Sequence, residues 1–368
     1  IIVSVTNDLS TDQRVHKSCM ELIELGYQPL LVGRKLPESL PIDRPYPTHR
    51  MRLIFRRKFW FYAEFQIRLF LYLLFKKSHG LLANDLDTLL PNFLISSIKS
   101  VPLIYDSHEY YCYTPELIHR PRVQKVWLSV EKWIFPKLKT IITVNKAIAW
   151  LYNDAYGKSL YVVRNISPFP KDIPVTTRKD WNLPEDAFIF INQGSGINID
   201  RGMEEMLDAL EHLPKEVHVL IVGRGDVLPV LKKRVEANSD LEKRVHFIPP
   251  QPYAALLSIT RLADCGLSLD KTDNPNYKFS LPNKLFDYIH SGIPVLGSQV
   301  VEVKSIIQKD KIGEVAENHQ PEEIARAAKI ILRNTKDYYQ KALQASAEVH
   351  TWEKEQEVLR KALLQGFS

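Results

Sequence analysis

The feature that most constrains this chain is a repeated pattern of short apolar runs, each followed by polar residues and then by a helical pattern. An apolar run of this length is typical of a strand that is buried on both faces. Strands that alternate with helices predict parallel sheets in an α/β fold. The runs occur at 1–5, 30–32, 51–55, 81–83, 103–105, 141–144 and 160–163, and again at 188–191, 219–222, 245–248, 266–269 and 293–296.

The pattern occurs in two series, and a proline-rich segment separates them. A chain of 368 residues is too long for one typical core and fits two domains. Four prolines between 168 and 186 mark that segment as a linker. We therefore predict two doubly wound, Rossmann-like domains at 1–167 and 187–349 with a cleft between them, followed by a terminal helix at 350–368.

The composition is that of an ordinary soluble globular protein, with 45% hydrophobic and 25% charged residues. Cys19, Cys112 and Cys265 form no CxxC or Cys–His cluster, which argues against a disulfide framework or a zinc site. No secretory signal is recognisable, so we expect a cytoplasmic protein in a reducing compartment. The chain starts on Ile1 without Met, and we expect a residue or two to precede it.

Charge is unevenly distributed. Residues 1–165 carry 23 Lys and Arg against 14 Asp and Glu, whereas the remainder carries 26 against 29. At 49–79, eight Lys and Arg residues are interleaved with nine aromatic residues, several of them at helical spacing. This pattern predicts a helix that rests on an anionic membrane surface, at the inner face of the cell membrane. The alternative is a core helix with a solvated basic side. No nucleic-acid-binding motif accompanies the charge, so we predict no nucleic-acid partner.

In the first series, polar residues follow the predicted strands. The carboxyl ends of parallel strands share one edge of a sheet, where ligands bind. The candidates for substrate contact at this edge are Asp8, Asp12, Arg14, Asp85, His108 and Glu109. His108 is the strongest of them because acidic residues flank it. As an alternative, Ser10, Thr11 or Asp12 caps the first helix, and Asp85 caps a later one.

In the second series, two glycine-bearing loops follow buried strands. The first carries Gly194 and Ser195, with Arg201 one turn downstream, and suits the close approach of a phosphate group. The second carries Gly223 and Gly225, which serve equally well in a tight turn. The GxGxxG pattern of nicotinamide-binding proteins is incomplete, so we predict no such cofactor.

After these loops, the sequence predicts a loop, a short helix, a tight turn and a buried strand in succession. Ser280 is expected to cap the helix, and Gly292 to follow its last turn with a left-handed backbone. One face of the helix carries Asn283, Lys284 and Asp287, since positions three and four apart are neighbours. A helix N-terminus, a lysine and a carboxylate suit the diphosphate and ribose of a nucleotide. An ordinary surface helix with a polar face is the alternative.

The same segment resembles the donor site of the retaining glycosyltransferases of family 4, which have the GT-B fold. That family typically carries Glu-x7-Glu followed by Gly-x-Pro-Val. The first acidic position falls on Phe279 here, so half of the motif is absent. A subset of the family reads Pro-x-Lys-x-x-Glu/Asp instead, and the segment that starts at Pro282 resembles this subset. Four residues match the second half of the motif: Asp287, Gly292, Pro294 and Val295.

The resemblance covers nearly the whole chain, because motifs at 6–8, 84–87, 106–109 and 164–165 also fall where family members have them. It implies a GT-B fold whose terminal helix crosses back to the first domain. It also implies a retaining enzyme that uses a GDP- or UDP-sugar as co-substrate. The donor half contains no Asp-x-Asp motif after a strand, so we predict that the reaction needs no metal and no other cofactor.

The resemblance further implies roles for particular residues. His108 matches the histidine that the family presents to the donor sugar, and Arg201 matches the basic residue that contacts the donor diphosphate. With Lys284, they form the predicted catalytic set. Asp8, Asp12, Arg14, Asp85 and Glu109 are assigned to a glycan or lipid-linked acceptor. The predicted donor-binding residues are Gly194, Ser195, Gly223, Gly225, Asn276, Tyr277, Ser280, Leu281, Asn283 and Asp287.

Two other functions remain open at this point. A sugar-nucleotide epimerase of GT-B-like fold would act on the donor alone. A catalytically inactive, nucleotide-binding partner subunit is the other alternative, because the acid expected at Phe279 is lost.

Overall fold

The structure is a computed structural model that describes residues 1–10, 12–37, 39–56 and 58–368. The chain divides into two compact units. The N-terminal unit comprises Ile1–Asn165 and Glu355–Ser368, and the C-terminal unit comprises Ile166–Lys354.

The N-terminal unit contains a parallel sheet, which has seven strands within the described residues. These are β1 (Ile2–Asp8), β2 (Leu30–Lys35), β3 (Thr48–Arg52), β4 (Leu81–Asn84), β5 (Leu103–Ser107), β6 (Thr140–Thr143) and β7 (Tyr161–Val162). Their order in the sheet is β3-β2-β1-β4-β5-β6-β7. The strand expected at 51–55 ends at Arg52, because the N–H groups of Ile54 and Phe55 donate to the Glu64 carboxylate instead of a neighbouring strand.

Helices cover the faces of this sheet. They are α1 (Gln13–Glu24), α2 (Lys58–Phe75), α3 (Leu86–Lys99), α4 (Pro115–Ile118), α5 (Pro121–Ile134) and α6 (Lys146–Tyr156), with 3-10 turns at Tyr111–Tyr113 and Phe135–Lys137. The local sequence explains where several of these helices begin or end. Asp12 caps α1 by accepting from the N–H of Val15, and Asn145 caps α6 by accepting from the N–H of Ile148. Gly157 ends α6 with φ +63°.

The C-terminal unit repeats this architecture with a six-stranded parallel sheet. The strands are β8 (Phe188–Gly194), β9 (Val217–Gly223), β10 (Val245–Ile248), β11 (Cys265–Ser268), β12 (Val295–Gly297) and β13 (Gly313–Val315), in the order β10-β9-β8-β11-β12-β13. The helices are α7 (Met203–Ala209), α8 (Leu228–Glu236), α9 (Ser239–Arg244), α10 (Tyr253–Thr260), α11 (Pro275–Lys278), α12 (Lys284–His290), α13 (Val301–Asp310) and α14 (Pro321–Val349), with 3-10 turns at Lys179–Trp181 and Leu210–His212. The last helix, α15 (Trp352–Phe367), belongs to the N-terminal unit from Glu355 onward.

Both sheets have the doubly wound topology that the sequence pattern predicts, so the predicted fold class is confirmed. In each sheet the direction of winding reverses between two neighbouring strands, β1 and β4 in the first and β8 and β11 in the second. Ligands of open α/β sheets bind beyond the carboxyl ends of strands at such a reversal. The fold therefore brings the residues that follow β1, β4 and β5 together in one unit, and those that follow β8 and β11 in the other.

The last residues of the chain pack on the N-terminal unit, to which they belong. The carboxylate of Glu355 accepts hydrogen bonds from the backbone N–H of Arg164 at 2.6 Å and from its Nε at 2.8 Å. Further along α15, the Nε of Arg360 donates to Glu21 on α1 at 2.5 Å. Glu355 and Glu21 are both buried, whereas Arg360 is 45% exposed, so α15 is held by charged hydrogen bonds whose carboxylates are shielded from water.

The three cysteines are buried and free. Among the helices of the described residues, none combines the length and the apolar character that a membrane span requires.

The backbones of the two loops that follow β8 and β9 are in direct contact. Gly194 and Gly223 have φ values of +134° and +138°, which L side chains rarely adopt. A Cβ atom added to Gly223 would lie 1.9 Å from the carbonyl oxygen of Gly194. That carbonyl accepts from the N–H of Arg224 at 3.1 Å, so the two loops are joined directly. Gly223 is therefore required by packing between the loops.

We predict that Gly223→Ala lowers the free energy of unfolding by roughly 2–4 kcal/mol, through backbone strain and a steric clash. Gly196→Ala is the matched control, because Gly196 lies two residues beyond β8 with no other atom within 4 Å of an added Cβ. Urea denaturation measures both variants. Equal stability of the two variants would show that the close contact is not maintained in solution.

Candidate functional site

In the N-terminal unit, His108 lies between two carboxylates at the carboxyl ends of β4 and β5. Its Nδ1 is 3.2 Å from Oδ2 of Asp85, and its Nε2 is 3.4 Å from Oδ2 of Asp106. The backbone N–H of His108 also donates to Oδ1 of Asp85 at 2.8 Å. Asp85 has φ +62°, and its side chain makes no capping hydrogen bond to α3. The side chain of Asp85 therefore positions His108 and does not cap the helix.

Arg14 completes this network from the opposite side of Asp106. Its Nη2 and Nε donate to the two oxygens of Asp106 at 2.7 and 3.1 Å, and its Nη1 donates to the carbonyl of Val163 at 2.8 Å. Arg14 and Asp106 are only 7% and 1% exposed. The guanidinium was predicted to contact a substrate, but in this structure its hydrogen bonds go to protein groups. Arg14 acts on the site by holding Asp106.

The two carboxylates determine the protonation of His108. Burial by itself lowers the pKa of this imidazole, but the charges of Asp85 and Asp106 outweigh burial and raise the pKa to about 10. For Asp106, burial by itself raises the pKa. The charges of Arg14 and His108 outweigh burial and hold the pKa of Asp106 well below its usual value. His108 is therefore an imidazolium at neutral pH, which donates hydrogen bonds and cannot accept a proton.

The other predicted acceptor residues separate into two groups. A cavity of about 600 Å³ in this unit is lined by Asp85, His108 and Glu109 among others. Asp8 and Asp12 do not line it, because both are engaged in local structure. Asp8 accepts from Ser10 and Ser39, and Asp12 caps α1, as the alternative interpretation predicted. The third candidate for that cap, Thr11, lies outside the described residues.

In the C-terminal unit, Arg201 and Lys284 lie within one cluster of buried polar groups. The guanidinium of Arg201 donates to Asp270, which is 1% exposed, and its Cζ lies 4.0 Å from the ring centroid of Tyr277. Nζ of Lys284 donates to Oδ1 of Asn192 at 2.7 Å. Burial and the charge of Arg201 lower the pKa of Lys284 to about 8, although Asp270 acts in the opposite direction. The cluster therefore brings two partly buried cations together.

Several donors in this cluster have no partner. Among the described residues, nothing accepts a hydrogen bond from Nε of Arg201, Nδ2 of Asn192 or Nδ2 of Asn274, and all three atoms are buried. On the acceptor side, Oδ1 of Asp270 and the hydroxyl of Ser268 are also unpaired. An unsatisfied buried polar group costs about 1–3 kcal/mol, so such groups indicate a ligand that completes them. The three N–H groups and the Lys284 ammonium suit an oxyanion.

The short helices around this cluster begin at positions other than those predicted. Asn274 caps α11 by accepting from the N–H of Tyr277. The hydroxyl of Ser280 donates to the carbonyl of Tyr277 at 2.8 Å, and α12 begins only at Lys284, after Asn283. The expectation that Ser280 caps α12 is wrong, because Ser280 closes the preceding turn. Gly292 has the predicted left-handed backbone, with φ +69°.

The three polar residues expected on one face of α12 have different surroundings. Asn283 is exposed, whereas Asp287 is 8% exposed. Oδ1 of Asp287 accepts from the hydroxyl of Tyr253 at 2.8 Å, and Oδ2 accepts from Nε2 of Gln193 at 3.0 Å. Burial raises the pKa of Asp287 to about 6, and these two donors oppose the shift. Asp287 is thus anchored to β8 and α10 by protein donors.

The remaining predicted donor-binding residues divide between surface and core. Ser195 is exposed, whereas Asn276 and Leu281 are buried. Gly225 packs against another loop, since an added Cβ would lie 1.8 Å from the carbonyl oxygen of Ile197. The helix that follows Arg201 begins after Gly202, which has φ +76°. The structure thus brings Arg201, Tyr277 and Lys284 together and gives the glycines a packing role.

Sequence reasoning missed part of this cluster. Asn192 directly follows the apolar run at 188–191, and Asp270 directly follows the run at 266–269, so the rule that selected Asp85 and His108 would have found both. Gln193 follows the first of these runs by two residues. Tyr253 and Asn274 carry no comparable signal, because their roles depend on contacts between distant segments. Among the described residues, no group of three or more His, Cys, Asp or Glu side chains is placed to hold a metal ion.

Comparisons with known proteins agree with this architecture. Residues 176–348 match the family described as glycosyl transferases group 1. A D-inositol 3-phosphate glycosyltransferase of Xylanimonas cellulosilytica is 26% identical over 159 residues, which is 42% of this chain and 36% of that protein. The match therefore spans about a third of the relative's length.

Two solved structures share the whole fold. Sucrose-phosphate synthase of Thermosynechococcus elongatus superposes with a TM-score of 0.81 at 16% identity, over 99% of this chain and 98% of the other. HepE of Anabaena, solved with UDP-glucose, superposes with a TM-score of 0.72 at 14% identity, over 99% of each chain. The structural likeness shows a GT-B type fold, and the family match within the C-terminal unit supports a glycosyltransferase.

We predict that His108 stays protonated well above neutral pH. Its folded-state pKa of about 10 exceeds the usual 6.5, so its ion pairs stabilise the fold fully below about pH 6.5, and this contribution is lost as the pH rises through 10. Asp85→Asn should lower the pKa of His108 toward the usual value. Titration of imidazole resonances by NMR measures it. His246 is an internal control, since burial and the neighbouring His218 lower its pKa to about 4. A His108 resonance that titrates near 6.5 in the unmodified protein would refute the ion pairs.

Proposed function

We propose that this chain transfers a sugar from a nucleotide-diphosphate sugar to a glycan or lipid-linked acceptor, with retention of configuration and without a metal ion. The observation that carries this proposal is that Nε of Arg201 and Nδ2 of Asn192 are buried donors with no hydrogen-bond partner among the described residues, and that the ammonium of Lys284 donates to the same Asn192. A diphosphate offers oxygens for all of these donors. The cluster lies at the carboxyl ends of β8 and β11, where the sheet reverses its winding.

In this proposal the cluster stabilises the leaving group. When the glycosidic C–O bond to the diphosphate breaks, negative charge develops on the phosphate oxygens. Fixed cations and N–H groups in a water-poor site stabilise such charge strongly, because they need no reorganisation during the reaction. Arg201 is held in place by Asp270 and by the ring of Tyr277, and Lys284 by Asn192. An incoming diphosphate would also favour the charged form of Lys284.

The predicted retention requires that the new bond form on the face from which the leaving group departs. We propose front-face attack, in which the acceptor hydroxyl oxygen bonds to the sugar while its proton passes to an oxygen of the leaving phosphate. Two carboxylates of the C-terminal unit are poorly suited to act as a nucleophile instead. Asp287 is held by Gln193 and Tyr253, and Asp270 is paired with Arg201.

The N-terminal unit would supply the acceptor. Asp85 and Glu109 line its cavity and offer carboxylate oxygens to sugar hydroxyls. His108 is assigned to the donor sugar, and because its two ring N–H groups face Asp85 and Asp106, donating to the sugar would require one of them to leave its carboxylate. Acting as a general base would require a neutral imidazole, so this assignment fits a mechanism in which the leaving phosphate takes the proton.

The helix α2 supports a location at a membrane surface. Phe61, Phe65, Leu69 and Leu73 are buried in the core. The opposite side exposes large apolar residues, with Trp60 62% and Phe75 82% exposed. Exposed apolar patches on a helix flanked by basic residues are typical of attachment to anionic lipid. We propose that the protein acts at the inner face of the cell membrane.

We predict that Arg201→Ala and Lys284→Ala each weaken UDP binding by roughly 1.5–3 kcal/mol, because each removes a charged hydrogen bond to phosphate. Lys233→Ala is the matched control, since it removes one exposed positive charge from the same unit. Isothermal titration calorimetry measures the affinities. Unchanged UDP affinity in both site variants would contradict the donor assignment.

Incubation with labelled UDP- and GDP-sugars then distinguishes a transferase, an epimerase and an inactive partner subunit by the product that forms. Transfer to an added acceptor supports the proposal, formation of an epimer indicates the epimerase, and binding without turnover indicates an inactive partner subunit. A His108→Ala variant that remains folded and binds UDP serves as the control for turnover.

We predict that the protein binds vesicles containing anionic lipid and that added salt weakens binding, since each well-placed Lys or Arg contributes about 1 kcal/mol. Trp60→Ser should weaken binding at least tenfold, because burying an aromatic side chain contributes roughly 1.5–3 kcal/mol. Trp150→Ser is a matched control, as Trp150 on α6 is also 62% exposed. Co-sedimentation measures both. If the unmodified protein ignores anionic vesicles at low salt, the membrane assignment fails.

A further inference from the structure

The cavity of the N-terminal unit is lined by side chains of both charges. Acidic residues line it together with His108, among them Asp87 and Glu116. Arg34 and Arg56 line it as well, and they are the charged residues that it shares with a second groove. A pocket for a neutral sugar needs hydroxyl-binding groups but no pair of arginines. The arrangement indicates a ligand with hydroxyl groups at one end and an anion at the other.

At the acidic end, Asp87 has an unused hydrogen-bonding atom. Its Oδ2 accepts from the hydroxyl of Thr6, whereas its Oδ1 is buried and has no hydrogen-bond partner among the described residues. The side chain is 5% exposed. Burial and the neighbouring Asp85 raise the pKa of Asp87 to about 7. An unpaired carboxyl oxygen in a cavity wall is suited to a hydroxyl of a bound sugar.

At the basic end, neither arginine has an anionic partner. Arg34 lies at the carboxyl end of β2, with its Cζ 4.9 Å from the ring centroid of Phe61. The structure records no side-chain hydrogen bond or ion pair from Arg34 or Arg56 to any described residue, and Nε of Arg34 is buried without a partner. A cation–π contact uses the face of the guanidinium and leaves its N–H groups free. These groups match the oxygens of a phosphate.

A second groove continues from the basic end. It has a volume of about 390 Å³, and Arg34, Arg56 and Phe61 line both it and the first cavity. Beyond them, the groove is lined by Arg52 and the apolar side chains of Leu53 and Phe55. The order along the surface is thus carboxyl groups, arginines, and then a mixed basic and apolar groove that lies beside α2. A sugar joined through phosphate to an apolar chain has the same order of groups.

We propose that the pocket binds an acceptor sugar that carries a phosphate or diphosphate, with a sugar hydroxyl on Asp87 and the anion on Arg34 and Arg56. The inference rests on the proposed function, because it assigns the acceptor of that reaction. Its residues lie outside the predicted acceptor set of Asp8, Asp12, Arg14, Asp85 and Glu109. The phosphate could belong to a lipid-linked sugar or to a soluble sugar phosphate, and the experiment distinguishes these sources.

The test is calorimetry with the full chain and three probes. Saturating UDP is present throughout, so that Arg201 and Lys284 are occupied. Geranyl diphosphate, inorganic pyrophosphate and vesicles of anionic lipid are titrated separately. The variants are Arg34→Gln, Arg34→Lys and the control Arg122→Gln, which removes an exposed positive charge on α5. Thermal denaturation verifies that each variant is folded.

We expect Arg34→Gln to weaken geranyl diphosphate binding at least tenfold, Arg34→Lys to weaken it less, and Arg122→Gln to leave it unchanged. If both probes depend on Arg34, tighter binding of geranyl diphosphate than of pyrophosphate identifies a lipid-linked acceptor, and equal affinity for the two probes identifies a soluble one. Asp87→Asn should preserve or strengthen diphosphate binding, because it removes a nearby negative charge.

Diphosphate affinity that stays within twofold in folded Arg34→Gln overturns the proposal, and so does response to anionic vesicles alone. These outcomes do not bear on the donor-site assignment, because UDP affinity is measured separately in the same variants. Failure of the unmodified protein to bind UDP would instead contradict the proposed function.

Discussion

Charge buried at the carboxyl edge of each parallel sheet is the constraint on which both candidate sites depend. Parallel strands direct their last residues to one edge, and charged groups there must find partners because burial makes an unpaired charge costly. In the N-terminal unit, successive contacts link Arg14 to Asp106, Asp106 to His108 and His108 to Asp85. Each charged group in this network has a protein partner, and we call such a network closed. In the C-terminal unit Arg201 is paired with Asp270, but neighbouring donors remain open.

The difference between a closed and an open network has a chemical consequence. A closed network holds His108 in one orientation and one protonation state, which suits a group that positions a substrate. An open network of donors around Lys284 suits a group that binds and stabilises an anion, since the ligand supplies the missing acceptors.

One side of helix α2 packs in the core and the other side is exposed. A helix whose apolar residues outnumber the positions on one face cannot bury all of them against one sheet. Phe65 and Leu69 pack in the core, while Trp60 and Phe75 remain exposed. The exposed side lies next to the basic residues of β3 and of the segment before α2, among them Arg52 and Arg56. The same helix therefore completes a core and presents an apolar, basic surface.

The sequence by itself determined the two series of strands and helices, the parallel topology and the polar residues at strand ends, because these follow from local periodicity and from short-range capping. It also singled out Arg201, Lys284 and His108 as candidates for the site. Only the tertiary structure decided which polar side chains face a ligand and which hold each other. Arg14 pairs with Asp106 at a separation of 92 residues, and Asp287 with Gln193 at 94. Partners so far apart are chosen by packing of the sheets and helices, and no local pattern records that choice.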